Sequence, residues 1–266
     1  MEFSKEGCGP PLFLLPGLGC DDRLWQPVGA LLRDRFTLFY PRTWGRASLP
    51  EAAVELADLL DDAAEGSAGV AGLSMGGYLA LELLRLAPEK VRAVALVDTT
   101  AFADDPERAA KRRQVLRLLD AGQFPEVLGA FAASVLAPSR AAEGPALDLV
   151  LAMGRDLGAE VFAAGVGAIL RRIPYEDVLG LIRVPTLILC GEHDGLTPPG
   201  VARRMAAQVP GARLEIVPGA GHLAPLENPA PVARALAEVL GFTGTARPKQ
   251  IRPFGAPRNP VGRGEI

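Results

Sequence analysis

The sequence predicts an α/β protein: a mostly parallel sheet with helices on both faces, interrupted by a helical insertion. Three observations predict it. Short apolar runs of strand length alternate with amphipathic segments of helical length in both halves of the chain. Such alternation makes a parallel sheet covered on both faces. Between about Thr100 and Asp177 the strand-like runs stop, and segments rich in Ala, Leu, Arg and Gly follow one another.

Taken in order, PLFLL (Pro11 to Leu15) and FTLFY (Phe36 to Tyr40) read as strands. PEAAVELADLLDDA, from Pro50, reads as a helix with proline at its first turn and apolar residues at helical spacing. SAGVAGL is a strand leading into Ser74, followed by a helix from about Gly76 to Ala87 that Pro88 stops. VRAVALVD (Val91 to Asp98) is the next buried strand. In the central stretch PERAAKRRQVLRLLDAG reads as a helix ending at Gly122, and ALDLVLAMGRDLG and EVFAAGVGAILRRI as two more. PTLILCG is then a strand, PGVARRMAAQV a helix, ARLEIVPG a strand and NPAPVARALAEVLG the last helix. The expected division is a core formed by residues 1–99 and 178–241, a helical insertion at 100–177, and a disordered tail at 242–266, where Pro, Gly and Arg occur without periodicity.

Composition narrows the function. The 266 residues are 49% hydrophobic and 22% charged, with a formal net charge of −3. That balance predicts a globular protein and gives no electrostatic reason to expect nucleic acid or an anionic membrane. No apolar run reaches the roughly 18 residues of a membrane span. The apolar run at Leu12 to Leu15 is too short for a signal peptide, so a cytoplasmic location is expected. Three cysteines and two histidines, with no CxxC or Cys/His cluster, predict neither a disulfide framework nor a metal site. The sequence carries no signal for oligomeric state.

Chemistry enters at Gly72-Leu73-Ser74-Met75-Gly76. A G-x-S-x-G pentapeptide between a strand and a helix places serine on a sharp corner at the tip of a sheet, where only glycines fit beside it. A nucleophilic serine needs a base, and the base an orienting carboxylate. His222 lies in a glycine-rich loop after a strand, in GAGHLAPLENP, and Asp194 follows another strand, in LCGEHDGLTPP. Both positions are at the carboxyl edge of the predicted sheet, where ligands of open α/β sheets bind. His193 and Glu192 compete for the two roles. His193 directly precedes Asp194 and has no later carboxylate after a strand, so both competitors are assigned to the surroundings of the site. The oxyanion donors are expected to be the backbone N–H of Met75 and that of Leu18, in the glycine-bearing loop LLPGLGCDDRLW, where Asp21 and Asp22 cap the helix containing Trp25. Cys190 reads as a buried strand residue, and Cys8 and Cys20 have no visible base partner.

These motifs resemble those of the α/β-hydrolase fold family, in particular its compact carboxylesterase-like and enol-lactonase-like members. The resemblance covers about residues 11 to 241. It implies that the helical insertion is a cap, that no cofactor is needed, and that Ser74, Asp194 and His222 form a triad. Two segments depart from the family pattern: Pro16 stands where a histidine is usual, and PRTWGRAS replaces the usual Asp-x-x-Gly-His-Gly-x-Ser loop that shapes the pocket floor.

The expected reaction is hydrolysis of a small or medium carboxylic ester through an acyl-enzyme. Alternatives with the same triad are hydrolysis of an enol-lactone, a carbon–carbon bond or a thioester; an alternative of another class is a non-catalytic binding protein. The expected partner is a small ester-like molecule. Trp25, Phe102, Phe124, Phe131, Met153 and Phe162 are candidates for an apolar pocket, although any single one of them reads more readily as a core residue. Arg171 and Arg172 end a predicted helix, where arginines are ordinarily solvated and offset the helix dipole.

Overall fold

The computed structural model describes residues 1–141 and 143–241; the tail expected at 242–266 lies outside the described residues. The strands are β1 (Phe3–Gly7), β2 (Pro11–Leu15), β3 (Thr37–Pro41), β4 (Ala68–Leu73), β5 (Val91–Val97), β6 (Thr186–Gly191) and β7 (Arg213–Val217). They form one sheet in the order β1-β3-β2-β4-β5-β6-β7, parallel except for β1, which pairs antiparallel with β3. Period-two burial explains why it is covered on both faces. Phe13 and Leu15 enter one core while Leu12 and Leu14 enter the other, and Val94 and Leu96 oppose Ala93, Ala95 and Val97 in the same way.

The helices are α1 (Gln26–Leu32), α2 (Leu49–Ala63), α3 (Met75–Leu86), α4 (Pro106–Asp120), α5 (Phe124–Val135), α6 (Pro145–Arg171), α7 (Glu176–Leu179), α8 (Pro199–Ala206), α9 (Ala224–Glu227) and α10 (Pro229–Leu240). Apolar faces of α2, α3 and α8 join the core on one side of the sheet, and those of α1 and α10 the core on the other. Ser48 caps α2 by accepting from Glu51 N (3.3 Å), and Asp105 caps α4 by accepting from Arg108 N (2.8 Å). Between β5 and β6 the described elements are all helical, and Leu119, Val127, Phe162 and Val166 make a small core of their own there. The two helices expected at 146–173 are both present: α6 consists of two helical segments that meet at Gly158, whose φ 82° and ψ 169° are not helical.

Four elements were absent from the sequence expectation: β1, α5 and the single-turn helices α7 and α9. β1 is a polar, exposed edge strand, with no apolar pattern to betray it. α5 follows α4 after a three-residue turn, and its small and apolar residues lack a polar face that would mark the boundary. The capping expectation also needs correction: Asp21 accepts from Arg23 N (3.0 Å), but Asp22 lies within the short 3₁₀ turn itself and Trp25 follows that turn.

The strand order decides where a site can be. From β2 the chain runs to β3 on one side, whereas β4 and β5 lie on the other. The loop after β2 and the corner after β4 therefore open a crevice at a topological switch point, at the carboxyl ends of adjacent parallel strands.

Candidate active site

Ser74 occupies that corner, between β4 and α3, with φ 52° and ψ −111°. For a residue with a β-carbon this is a strained conformation, of the kind that clusters at functional sites. Sterics around it account for the flanking glycines. A β-carbon on Gly72 would lie 2.2 Å from the Gly76 carbonyl oxygen, and one on Gly76 would lie 2.3 Å from that of Leu15. Main-chain bonds hold the corner: Ser74 N donates to Val97 O (3.0 Å), and Thr99 Oγ1 donates to Ser74 O (2.8 Å).

Asp194 and His222 meet behind it. Asp194 Oδ2 lies 2.8 Å from His222 Nδ1, and both side chains are buried. The carboxylate also accepts from Leu196 N (2.8 Å), Thr197 N (2.9 Å) and Thr197 Oγ1 (2.7 Å). Burial alone would raise its pKa. The charge and hydrogen bond of His222 and the donors of Thr197 outweigh burial and hold it down at about 2. Asp194 is therefore an anion at neutral pH, and its bond to Nδ1 leaves His222 Nε2 as the nitrogen available for proton transfer. His193 is half exposed and 3.8 Å from Glu192, away from this pair.

Two carboxyl groups that sequence reasoning missed hold these loops. Asp98, fully buried at the end of β5, accepts from Gly191 N (2.7 Å) and Ala224 N (3.2 Å), tying the end of β6 to the segment after His222. Burial, and then the neighbouring Asp194 charge, push its pKa well above the usual carboxylate range. Its signal was an acid ending an otherwise apolar strand. Glu227 accepts from Gly221 N (2.8 Å) and Leu223 N (3.3 Å), on both sides of His222, and from Ala137 N (2.8 Å) beyond α5. His222 N in turn donates to Val135 O (3.0 Å). The Glu227→Ala variant leaves these buried N–H groups without their acceptor and is expected to lose about 3 kcal/mol of stability. Urea unfolding checks this; an unchanged midpoint at unchanged m-value would exclude the anchoring role.

Asp98, Cys190 and Asp194 place ligand-type atoms within 4.8 Å of one another. Those atoms are already engaged: the carboxylates as above, and Cys190 Sγ with Thr197 O (3.2 Å). Such a set does not fit a metal. Burial pushes the Cys190 thiol up, and that of Cys20 to about 12, which favours the neutral thiol over the thiolate at both.

Ser74 and His222 line one cavity of about 520 Å³, together with Gly17, Leu18, Gly195 and Thr197 from the sheet's carboxyl edge. Its other walls come from α3 to α6 together with Leu73, Leu196 and Leu223. Of the six pocket candidates, Phe131 and Phe162 line it, packed edge to face at 5.1 Å. The other four do not. Trp25 is fully buried beneath the sheet's edge and donates from Nε1 to Leu15 O (3.1 Å). Met153 is fully buried in the core on the α1/α10 side. Phe102 packs in the opposite core, with the Arg204 guanidinium 3.6 Å from its ring centroid. Phe124 packs behind Phe162, ring centroids 6.0 Å apart. Met153 and Phe124 lie on helix faces turned away from the crevice, whereas Trp25 and Phe102 lie in connecting segments that pack into the cores. The loop PRTWGRAS does not line this cavity either; Thr43 and Arg46 face a small void behind Met75 and Gly76. Leu18 lines the cavity and Met75 is the first residue of α3, where main-chain N–H groups have no partner within the helix.

Arg172 departs from the expectation of a solvated arginine. Its side chain is 3% exposed, paired with Asp104 (2.9 Å), and lies 4.5 Å from the ring centroid of Tyr78, a cavity residue. Arg171 does lie at the surface, donating to Ala47 O (2.6 Å).

Residues 10–229 match the model of the alpha/beta hydrolase fold family. The chain belongs to that family. Relatives span most of its length. A protein named for carbamate hydrolysis, RutD of Azorhizobium caulinodans, is 30% identical over 240 residues, covering 84% of this chain and 88% of its own. The pimeloyl-[acyl-carrier protein] methyl ester esterase of Chromobacterium violaceum is 30% identical over 249 residues, covering 88% and 95%. Among solved structures, a thermophilic esterase from Thermogutta terrifontis with malate bound superposes with a TM-score of 0.84 at 27% identity, covering 89% of this chain and 91% of that one. With such relatives, this member of the α/β-hydrolase family is an enzyme of the hydrolase class. Among the described residues no helix is long and apolar enough to cross a membrane.

Proposed function

We propose that the protein is a serine hydrolase that cleaves small or medium carboxylic esters through an acyl-enzyme. The observation that carries this reading is the buried Asp194–His222 pair, 2.8 Å apart, opening onto the cavity that Ser74 also lines. In this mechanism His222 Nε2 takes the Ser74 proton as Oγ attacks the ester carbonyl. Asp194, ionised and fixed by Leu196 and Thr197, keeps the imidazole in the required tautomer and stabilises the imidazolium. The N–H groups of Leu18 and Met75 receive the developing oxyanion, each contributing about 3 kcal/mol to transition-state stabilisation. His222 then protonates the departing alcohol and activates the water that releases the acid. The helices from α4 to α6 serve as a cap whose Phe131 and Phe162 supply apolar wall for the acyl chain.

The relatives' names include an esterase and a carbamate hydrolase, consistent with a small-molecule substrate and acyl-transfer chemistry. Steady-state assays on nitrophenyl esters of graded chain length, beside a panel of lactones, test the assignment. Short and medium esters are expected to give the higher kcat/KM; turnover of lactones alone would replace the ester reading by the lactone one.

A further inference from the structure

The cavity is not electrically neutral. On α4, Arg108, Lys111 and Arg112 sit three and four residues apart, so they share one helix face, and all three line the cavity. Among the described residues the lining carries one carboxylate against them, Glu126. The three cations are not equivalent. Arg112 is neutralised by Asp104, with Nε 2.7 Å from Oδ2. Lys111 pairs with Glu107 at 2.8 Å, both largely in water, where such a pair is weak. Arg108 is half-buried and, among the described residues, has no carboxylate within ion-pair distance. Its side-chain partner is neutral: Nη2 donates to the carbonyl of Leu196. Leu196 is the residue whose N–H holds Asp194, so this guanidinium lies beside the acid loop rather than at a remote edge.

A guanidinium has five N–H donors in a planar fork that matches a carboxylate. One guanidinium without a carboxylate partner, beside the apolar wall of Val115, Phe131 and Phe162, matches a single negative charge better than the double charge of a phosphate monoester.

Resting on the esterase reading, we propose that the substrate is a monoester of a dicarboxylic acid, and that Arg108 binds its free carboxylate. The apolar wall of Val115, Phe131 and Phe162 would then hold the methylene chain between the two ends.

The test compares monomethyl adipate with dimethyl adipate, using the full-length protein and the Arg108→Gln, Arg108→Lys and Arg113→Gln variants. The native protein is expected to favour the monoester in kcat/KM by about tenfold, chiefly through KM. Arg108→Gln should bring that ratio close to one and Arg108→Lys should keep part of it. Arg113→Gln, on the same helix but outside the cavity lining, should keep all of it. Added salt should narrow the preference of the native protein. If Arg108 were only a tether between α4 and the acid loop, its loss would lower both esters alike and leave the ratio unchanged, which overturns the proposal. A native ratio near one also overturns it while leaving the esterase reading standing. Failure to turn over either adipate ester or any nitrophenyl ester would remove both.

Discussion

Alanine at position 74 is expected to lower kcat for ester hydrolysis by roughly 10⁴- to 10⁶-fold without unfolding the protein. The chemical loss is large because Ser74 Oγ is the attacking atom of the proposed acyl-enzyme mechanism. The fold should survive because the structural bonds of this residue are main-chain ones: Ser74 N to Val97 O, and Ser74 O to Gly77 N, Tyr78 N and Thr99 Oγ1. Alanine keeps all of them and carries the same β-carbon, so the strain of φ 52° is unchanged. A fluorophosphonate probe should label the native protein and not the variant, with circular dichroism and unfolding midpoint alike in both. Turnover within tenfold of native in Ser74→Ala would sink the triad mechanism. Absence of labelling and of turnover in the native protein would favour a binding protein on a hydrolase fold.

The second large effect is expected from Asp194→Asn, a loss of about 10⁴-fold in kcat with little change in KM. Geometry gives the reason. Leu196 N and Thr197 N both donate to Oδ1, so the asparagine carbonyl oxygen must face them and the amide NH₂ must face His222. Nδ1 then becomes the acceptor, Nε2 carries the proton, and the imidazole can no longer take one from Ser74. Asp98 makes the experiment decisive, because it is a second buried carboxyl beside the same pair. A loss below tenfold in Asp194→Asn, paired with a large loss in Asp98→Asn at preserved stability, would transfer the orienting role to Asp98.

Much of this was legible in the sequence because its causes are short-ranged. Six strands followed from apolar runs bounded by turn residues, and Gly72 from collisions with Gly76 and Gly77 a few residues on; Gly76 instead faces the distant backbone of Leu15 and Pro16. The edge strand β1 escaped because it is mostly exposed and largely polar, which leaves no hydrophobic pattern to read. Trp25, Met153, Phe102 and Phe124 were plausible pocket residues for the same reason that they became core. An aromatic or methionine side chain serves either environment, and the packing of its helix or connecting segment decides.

By itself the sequence determined the alternation of strands and helices, the tight corner at Ser74, and the order of serine, acid and histidine along the chain. Tertiary structure alone decided what surrounds them. Glu227 reaches Ala137 across 90 residues, Arg108 reaches Leu196 across 88, and Asp98 reaches Ala224 across 126. Periodicity and local sterics carry no record of such pairings. They also carry none of the burial that raises Asp98, nor of the donors that keep Asp194 ionised. Those depend on which distant segments the sheet's strand order brings to its carboxyl edge, and on how much water that packing excludes.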